Sequence, residues 1–202
     1  MFRLIKWVVV VAVAVVVALA VAGFGYVRST GLRARAKPAA METHVARVVR
    51  SLAVPGRERE RRNPVAQSDE AMRGALEHYA DHCATCHAND GSGDTDFGRG
   101  LFPPPPDLRA AATQQLTDGE LFYIIENGVR FTGMPAFGTG TAAGAEESWK
   151  LVHFIRHLPR LTTAEREAME PLNPRSPAEI RQEIDEERFL RGDDIRPPGG
   201  VR

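Results

Sequence analysis

The chain has 202 residues, with 26 basic and 26 acidic side chains and therefore no formal net charge. That balance gives no ground for nucleic-acid binding, and two cysteines three positions apart, Cys83 and Cys86, cannot build a disulfide-stapled scaffold. The length suits one ordinary domain with appendages, and the 43% hydrophobic share is uneven, much of it lying in the first 27 residues.

Trp7 to Val27 is a run of 21 residues without charge, rich in Val and Ala. At about 1.5 Å per residue, a helix of that length crosses a hydrocarbon core of about 30 Å. Trp7 and Tyr26 stand near its two ends, where amphipathic rings favour the headgroup level. Residues 1–27 therefore read as a transmembrane anchor. The competing reading is a cleaved signal peptide, with Arg3 and Lys6 as its charged start and Ala18-Leu19-Ala20 or Ala20-Val21-Ala22 as the cleavage site. Arg28, Arg33, Arg35 and Lys37 follow the span, and the positive-inside rule alone would keep the remainder in the cytoplasm.

Residues 28–67 form a basic linker, with 10 basic and 3 acidic side chains and a local charge of +7. Met41, Val45, Val48, Val49 and Leu52 follow helical spacing, with Arg47 and Arg50 off the stripe. Pro55-Gly56 stops this helix, and Arg57-Glu58-Arg59-Glu60-Arg61-Arg62 reads as a solvated tether. Two readings of the helix stand side by side. It lies on anionic lipid or a partner, or it packs on its own domain.

Residues 68–160 carry the chemistry. A helix is expected from about Asp69 to His82, with Ser68 as N-cap and Met72, Leu76 and Tyr79 among its apolar positions. It runs into Cys83-Ala84-Thr85-Cys86-His87, a C-x-x-C-H sequence, the attachment signature of c-type haem. Two thiols about one helical turn apart can form thioethers along one edge of the macrocycle, and His87 then stands beneath the iron as proximal ligand. A thioredoxin-type pair would need a strand–helix–strand pattern around it, and a zinc half-site would need a second Cys/His pair; neither is found. Gly91–Arg109 follows as a stiff loop in which Pro103, Pro104, Pro105 and Pro106 lack N–H donors but keep their carbonyls.

A second helix is expected over Thr117–Glu126, with a capping box in Thr117-Asp118-Gly119-Glu120 and a stop at Asn127-Gly128. Of the five methionines, Met134 alone sits in a loop of fixed local geometry, Thr132-Gly133-Met134-Pro135-Ala136-Phe137. Gly allows close approach to a macrocycle and Pro stiffens the loop, so Met134 is the candidate sixth ligand. The last core helix is expected from about Glu146 to Leu158, with Trp149, Val152, Phe154 and Ile155 on its apolar face and Pro159 after it. Tyr79 and Trp149 read as core; His78, His82, His153 and His157 read as surface or packing residues. Residues 161–202 form a charged extension, with capping boxes at Thr162–Glu165 and Ser176–Glu179, and a tail through Pro197-Pro198-Gly199-Gly200 that reads as disordered.

Residues 69–160 resemble a single-haem class I cytochrome c: Cys83, Cys86 and His87 match the attachment motif and Met134 the distal ligand. The resemblance implies an all-α haem domain whose N- and C-terminal helices cross beside the haem, with Gly74 and Ala75 letting Phe154 approach. In related cytochromes a proline carbonyl accepts a hydrogen bond from the proximal histidine, which makes one of Pro103, Pro104, Pro105 and Pro106 a candidate. The cofactor implied is one covalent haem c, since no further cysteine pair exists to hold another.

An iron with both axial positions filled passes single electrons without binding substrate, and a thioether ligand raises its potential. The expectation is a non-enzymatic electron carrier, single-pass in a bacterial cell membrane, with no small-molecule substrate. Its haem domain stands on the periplasmic side, because the attachment chemistry overrides the positive-inside rule. One alternative is a haem subunit docked in a larger oxidoreductase complex. Another, from a different class, is a ligand-binding sensor or peroxidase, should Met134 not ligate iron. The zero net charge is a cancellation: the anchor contributes +2, residues 28–67 +7, residues 68–160 −6 and residues 161–202 −3. An acidic haem domain on a basic tether points to redox partners with a basic docking face.

Overall fold

The apolar run becomes α1 (Phe2–Thr30), exposed on every side. In the computed structural model, which describes residues 2–31, 33–175 and 177–192, this helix is long and apolar enough to cross a membrane. The element order continues with α2 (Ala40–Ala53), α3 (Gly56–Arg59), α4 (Asp69–His78), α5 (Ala84–His87), α6 (Ala111–Gln114), α7 (Asp118–Asn127), α8 (Ala142–His157), α9 (Thr163–Met169) and α10 (Pro177–Leu190). No strand occurs among the described residues. The expected tail over 193–202 and the cap at Ser176 lie outside them.

The core forms where α4 crosses α8 and α7 packs beside it. Ala75 is fully buried at the crossing, and the Tyr79 ring meets Phe154 with centroids 4.9 Å apart. Phe122 of α7 stacks on Trp149 at 4.1 Å and 11°, so Tyr79 and Trp149 are both core residues, as their sequence setting suggested. Gly74 does not share the crossing: a Cβ built there would meet nothing within 4 Å.

Two helix boundaries differ from the sequence reading. The first helix leaves α geometry after His78 and continues as a π-turn over Tyr79–Cys83, a widening that apolar periodicity does not reveal. The last helix starts a turn early, at Ala142, because the Thr141 hydroxyl accepts from the Gly144 N–H at 3.1 Å. The small residues Ala142–Ala145 carry no apolar stripe, so only the cap marks this start.

The largest departure is in the expected tether. Residues 54–65 form a strap that lies against α7 and α8. Val54 is buried, the Thr117 hydroxyl donates to the Arg59 carbonyl at 2.8 Å, and Arg59 Nε donates to Glu120 Oε1 at 3.0 Å. The Arg61 guanidinium lies over the Phe122 ring at 4.4 Å and the Trp149 ring at 5.2 Å. Asn63 Nδ2 donates to the Trp149 carbonyl, and His153 Nε2 donates to the Val65 carbonyl at 2.8 Å. Alternating charges promise solvation, yet here backbone carbonyls and a planar cation do the packing.

The extension also folds back in part. Met169 of α9 is fully buried in the core, and Asn173 Nδ2 donates to the Ala80 carbonyl inside the π-turn at 2.9 Å. The Asn173 and Asn89 side-chain amides pair reciprocally at 2.8 Å. By contrast, Glu179–Gly192 is exposed at every position.

Candidate functional site

The attachment segment is aimed by what surrounds it. Ser68 caps α4 by accepting the Ala71 N–H at 3.1 Å, and the α4–α8 crossing then fixes the helix axis. The π-turn delivers Cys83 to the edge of the core, and α5 carries Cys86 and His87 before the chain reverses at Ala88, whose φ is +60°. The Tyr79 hydroxyl holds that reversal by donating to the Ala88 carbonyl at 3.1 Å.

The loop after the motif wraps back over it. Gly93 donates to the His87 carbonyl at 2.9 Å with φ at +76°, and a Cβ there would lie 2.6 Å from the Pro105 carbonyl oxygen. Only glycine fits that turn and that approach. The Thr95 hydroxyl donates to the Thr85 carbonyl at 2.8 Å and accepts the Gly98 N–H at 2.8 Å, closing the loop on α5.

His87 is buried at 9% exposure. Burial lowers its pKa, and the Pro106 carbonyl, facing the ring, opposes that shift. No hydrogen bond of normal geometry closes, so His87 Nδ1 is the one buried side-chain nitrogen or oxygen without a partner among the described residues. A neutral, sequestered imidazole with one nitrogen turned toward a backbone carbonyl suits a metal ligand. Of the four prolines, Pro106 is the one whose carbonyl faces this ring, without closing a hydrogen bond to it.

The thiols differ from a redox pair. Burial, with Cys86 beside it, pushes Cys83 up to about 12, and burial raises Cys86 as well. Reactive C-x-x-C centres have lowered thiol pKa values. Among the described residues no three His, Cys, Asp or Glu side chains gather as a metal set, so no zinc cluster forms around the pair. The residues present fit a covalently held macrocycle better than either alternative.

Met134 stands in a loop fastened at both ends. The Thr132 hydroxyl donates to the Val129 carbonyl at 2.7 Å and accepts the Met134 N–H at 3.1 Å, while the Val129 N–H donates to the Met134 carbonyl at 3.1 Å. Phe137 and Gly138 then donate to the Ile125 and Glu126 carbonyls at the end of α7. Gly133 lies against Leu101, where a Cβ would come within 2.7 Å of the leucine methyls. The half-buried Met134 thus belongs to a loop that touches the proline loop over His87. His153 and His157 turn elsewhere, to the Val65 carbonyl and to Glu165. Thr132, Leu101 and Asn173 escaped the sequence reading. A Thr two residues before Met134 is a local hydroxyl-turn signal, whereas Leu101 and Asn173 act across distances no local pattern reports.

Residues 70–155 match the model of the family described as cytochrome c oxidase, cbb3-type, subunit III. Among curated proteins none matches the chain. The matched stretch contains Cys83, Cys86, His87 and Met134 together with the α4–α8 crossing. With an all-helical domain on the C-x-x-C-H motif and an apolar N-terminal helix long enough to cross a membrane ahead of it, residues 70–155 are a class I cytochrome c domain, whose chemistry is haem-based electron transfer.

Proposed function

We propose that the chain transfers single electrons through one haem, held covalently by Cys83 and Cys86 and ligated axially by His87 and Met134. A haem so held supplies one-electron redox chemistry at its iron, with a potential raised by the thioether ligand. The protein's own residues supply rigidity. The π-turn and α5 fix the two sulfurs and the imidazole on one element. The Pro106 carbonyl stands where a slight shift would let it accept from His87, and the Thr132 hydroxyl holds the backbone of Met134. Fixed ligands change little in geometry between oxidation states, which favours outer-sphere transfer. Export to the periplasmic side belongs to this proposal, since attachment chemistry of this type operates there.

The buried His87 on the C-x-x-C-H turn is the observation that carries the proposal. The test is the purified full chain. Its intact mass is expected to exceed the polypeptide by a single haem, and the oxidised protein is expected to show the weak far-red band of methionine-to-iron charge transfer. Met134→Ala should abolish that band and open the reduced protein to carbon monoxide. A wild type that already binds carbon monoxide readily would refute the Met134 assignment and favour a ligand sensor or peroxidase.

A second reading is a haem subunit docked in a larger oxidoreductase, and the oxidase subunit named by the family match supports it. A stoichiometric partner surviving mild detergent extraction is its expected signature. The acidic domain favours redox partners with a basic docking face in either case.

A further inference from the structure

The basic amphipathic helix of the linker has a use that electron transfer does not explain. Met41, Val45, Val48, Val49 and Leu52 form one stripe on α2, and all five are exposed, Met41 at 76% and Leu52 at 79%. Only the end of the opposite side meets the protein. Thr43 and Arg50 are the only half-covered residues of α2; burial lowers the Arg50 pKa, and the Glu120 carboxylate opposes that shift. Arg59 donates to the Ser51 carbonyl, and Val54, directly after the helix, is buried. So α2 is held to the domain through its C-terminal turn, with its apolar side facing outward. A contiguous apolar patch left exposed on a protein often marks an interaction surface, so this five-residue stripe calls for a covering surface.

We propose that this covering surface is the lipid bilayer itself, with α2 lying in its interfacial layer. The inference rests on α1 crossing a membrane but not on how iron is ligated. Only nine residues separate α1 from α2; at about 3.3 Å per residue they reach at most about 30 Å. The stripe therefore cannot travel far from the headgroups. Between Arg28 and Ala53 stand Arg28, Arg33, Arg35, Lys37, Arg47 and Arg50 against a single acid, Glu42, a composition that anionic headgroups attract. Because Arg50, Ser51 and Val54 tie α2 to the strap and to α7, seating α2 on lipid fixes which side of the cytochrome domain faces the membrane. The helix thus acts as a keel, setting the domain's tilt.

The test uses the full chain in nanodiscs containing phosphatidylglycerol and lipids brominated along their acyl chains. Val45→Trp places a fluorophore on the stripe, and Thr43→Trp places one on the opposite, polar side; far-UV circular dichroism checks the fold of each. The Val45→Trp variant is expected to be quenched severalfold more strongly than Thr43→Trp, as befits a side chain about 5–10 Å below the headgroups. Adding Val49→Glu to Val45→Trp should remove the excess quenching while the visible spectrum stays unchanged. Equal quenching of the two tryptophan variants would overturn the proposal. So would a stripe unquenched in nanodiscs yet protected from hydrogen exchange in native membranes, which would assign it to a protein partner. The visible spectrum reports haem ligation independently, so failure of one proposal is not mistaken for failure of the other.

Discussion

Gly119 offers a sharp test of the strap. It is the second residue of α7, and a Cβ built there would lie 1.8 Å from the Glu58 carbonyl oxygen and 3.0 Å from that of Arg61. Both are backbone atoms, so no side-chain rotation relieves the clash, and Gly119→Ala must lift the strap from α7. Lifting it parts Arg59 from Glu120; Arg59 is 41% exposed, so that pair is worth about 1 kcal/mol. It also breaks the Thr117–Arg59 hydrogen bond, about 1 kcal/mol, and draws Arg61 off the Phe122 and Trp149 rings, a further ~0.5–1 kcal/mol. Alanine's better helix propensity returns at most about 1 kcal/mol. With the full alanine gain the net loss is still about 1.5–2 kcal/mol, or roughly 6–16 °C in midpoint for a domain of this size. Gly74→Ala is the matched control: its new methyl meets nothing within 4 Å, so it should stabilise by up to about 1 kcal/mol. Urea and thermal unfolding followed by far-UV circular dichroism measure both. If Gly119→Ala is neutral or stabilising like its control, the strap is not packed as described.

Two further outcomes follow from individual side chains. Thr132→Val removes the hydroxyl that binds both the Val129 carbonyl and the Met134 N–H; carbon monoxide should bind the reduced variant more readily, with the haem count unchanged, and an unaltered affinity would show that Thr132 does not position Met134. Burial raises the Glu165 pKa, but the Thr162 N–H and hydroxyl and the His157 ring outweigh it, so the carboxyl sits below its ordinary 4.5. Its stabilisation is therefore full above that value and lost as pH falls through the lowered one. Glu165→Gln should cost about 1 kcal/mol near neutrality, and the gap from wild type should close in acid; urea midpoints that differ equally at both pH values would refute this.

What could be read from the sequence divides along a physical line. Caps, periodicity and the thiol–imidazole spacing are local, and they located α4, α7, α9 and the attachment turn within a few residues. The Thr117 and Thr162 capping boxes form as written, with each glutamate returning to its own cap backbone. What escaped depends on long-range fit. The segment Arg57–Arg62 has no apolar residue, and nothing local announces that its carbonyls lie against Gly119 or that Arg61 lies over two rings. Met169 reads as a tail residue because its burial depends on Pro159 and the short turn that follows sending the chain back toward α4. Asn173 sits 93 positions from the Ala80 carbonyl it satisfies, a pairing that only the folded π-turn creates.

These long-range contacts change the mechanical picture of the anchor. As a sequence, residues 28–67 look like a leash on which an acidic domain could roam. In the fold, residues from Arg50 onward are fastened to the domain, and α2 moves with it. The free part of the leash shrinks to the nine residues between α1 and α2, an arm of about 30 Å at full extension. An electron carrier on so short an arm samples a thin layer above the membrane. It therefore serves a donor and an acceptor held in that same layer better than one diffusing far from it. With α2 on lipid as proposed, the +5 carried by residues 28–53 would stand between the −6 domain and the bilayer, screening the repulsion that anionic lipid would exert on the domain. Both effects favour the docked-subunit form of the proposed function over a long-range shuttle, since a short arm raises the local concentration of the domain at a fixed neighbour without any new contact.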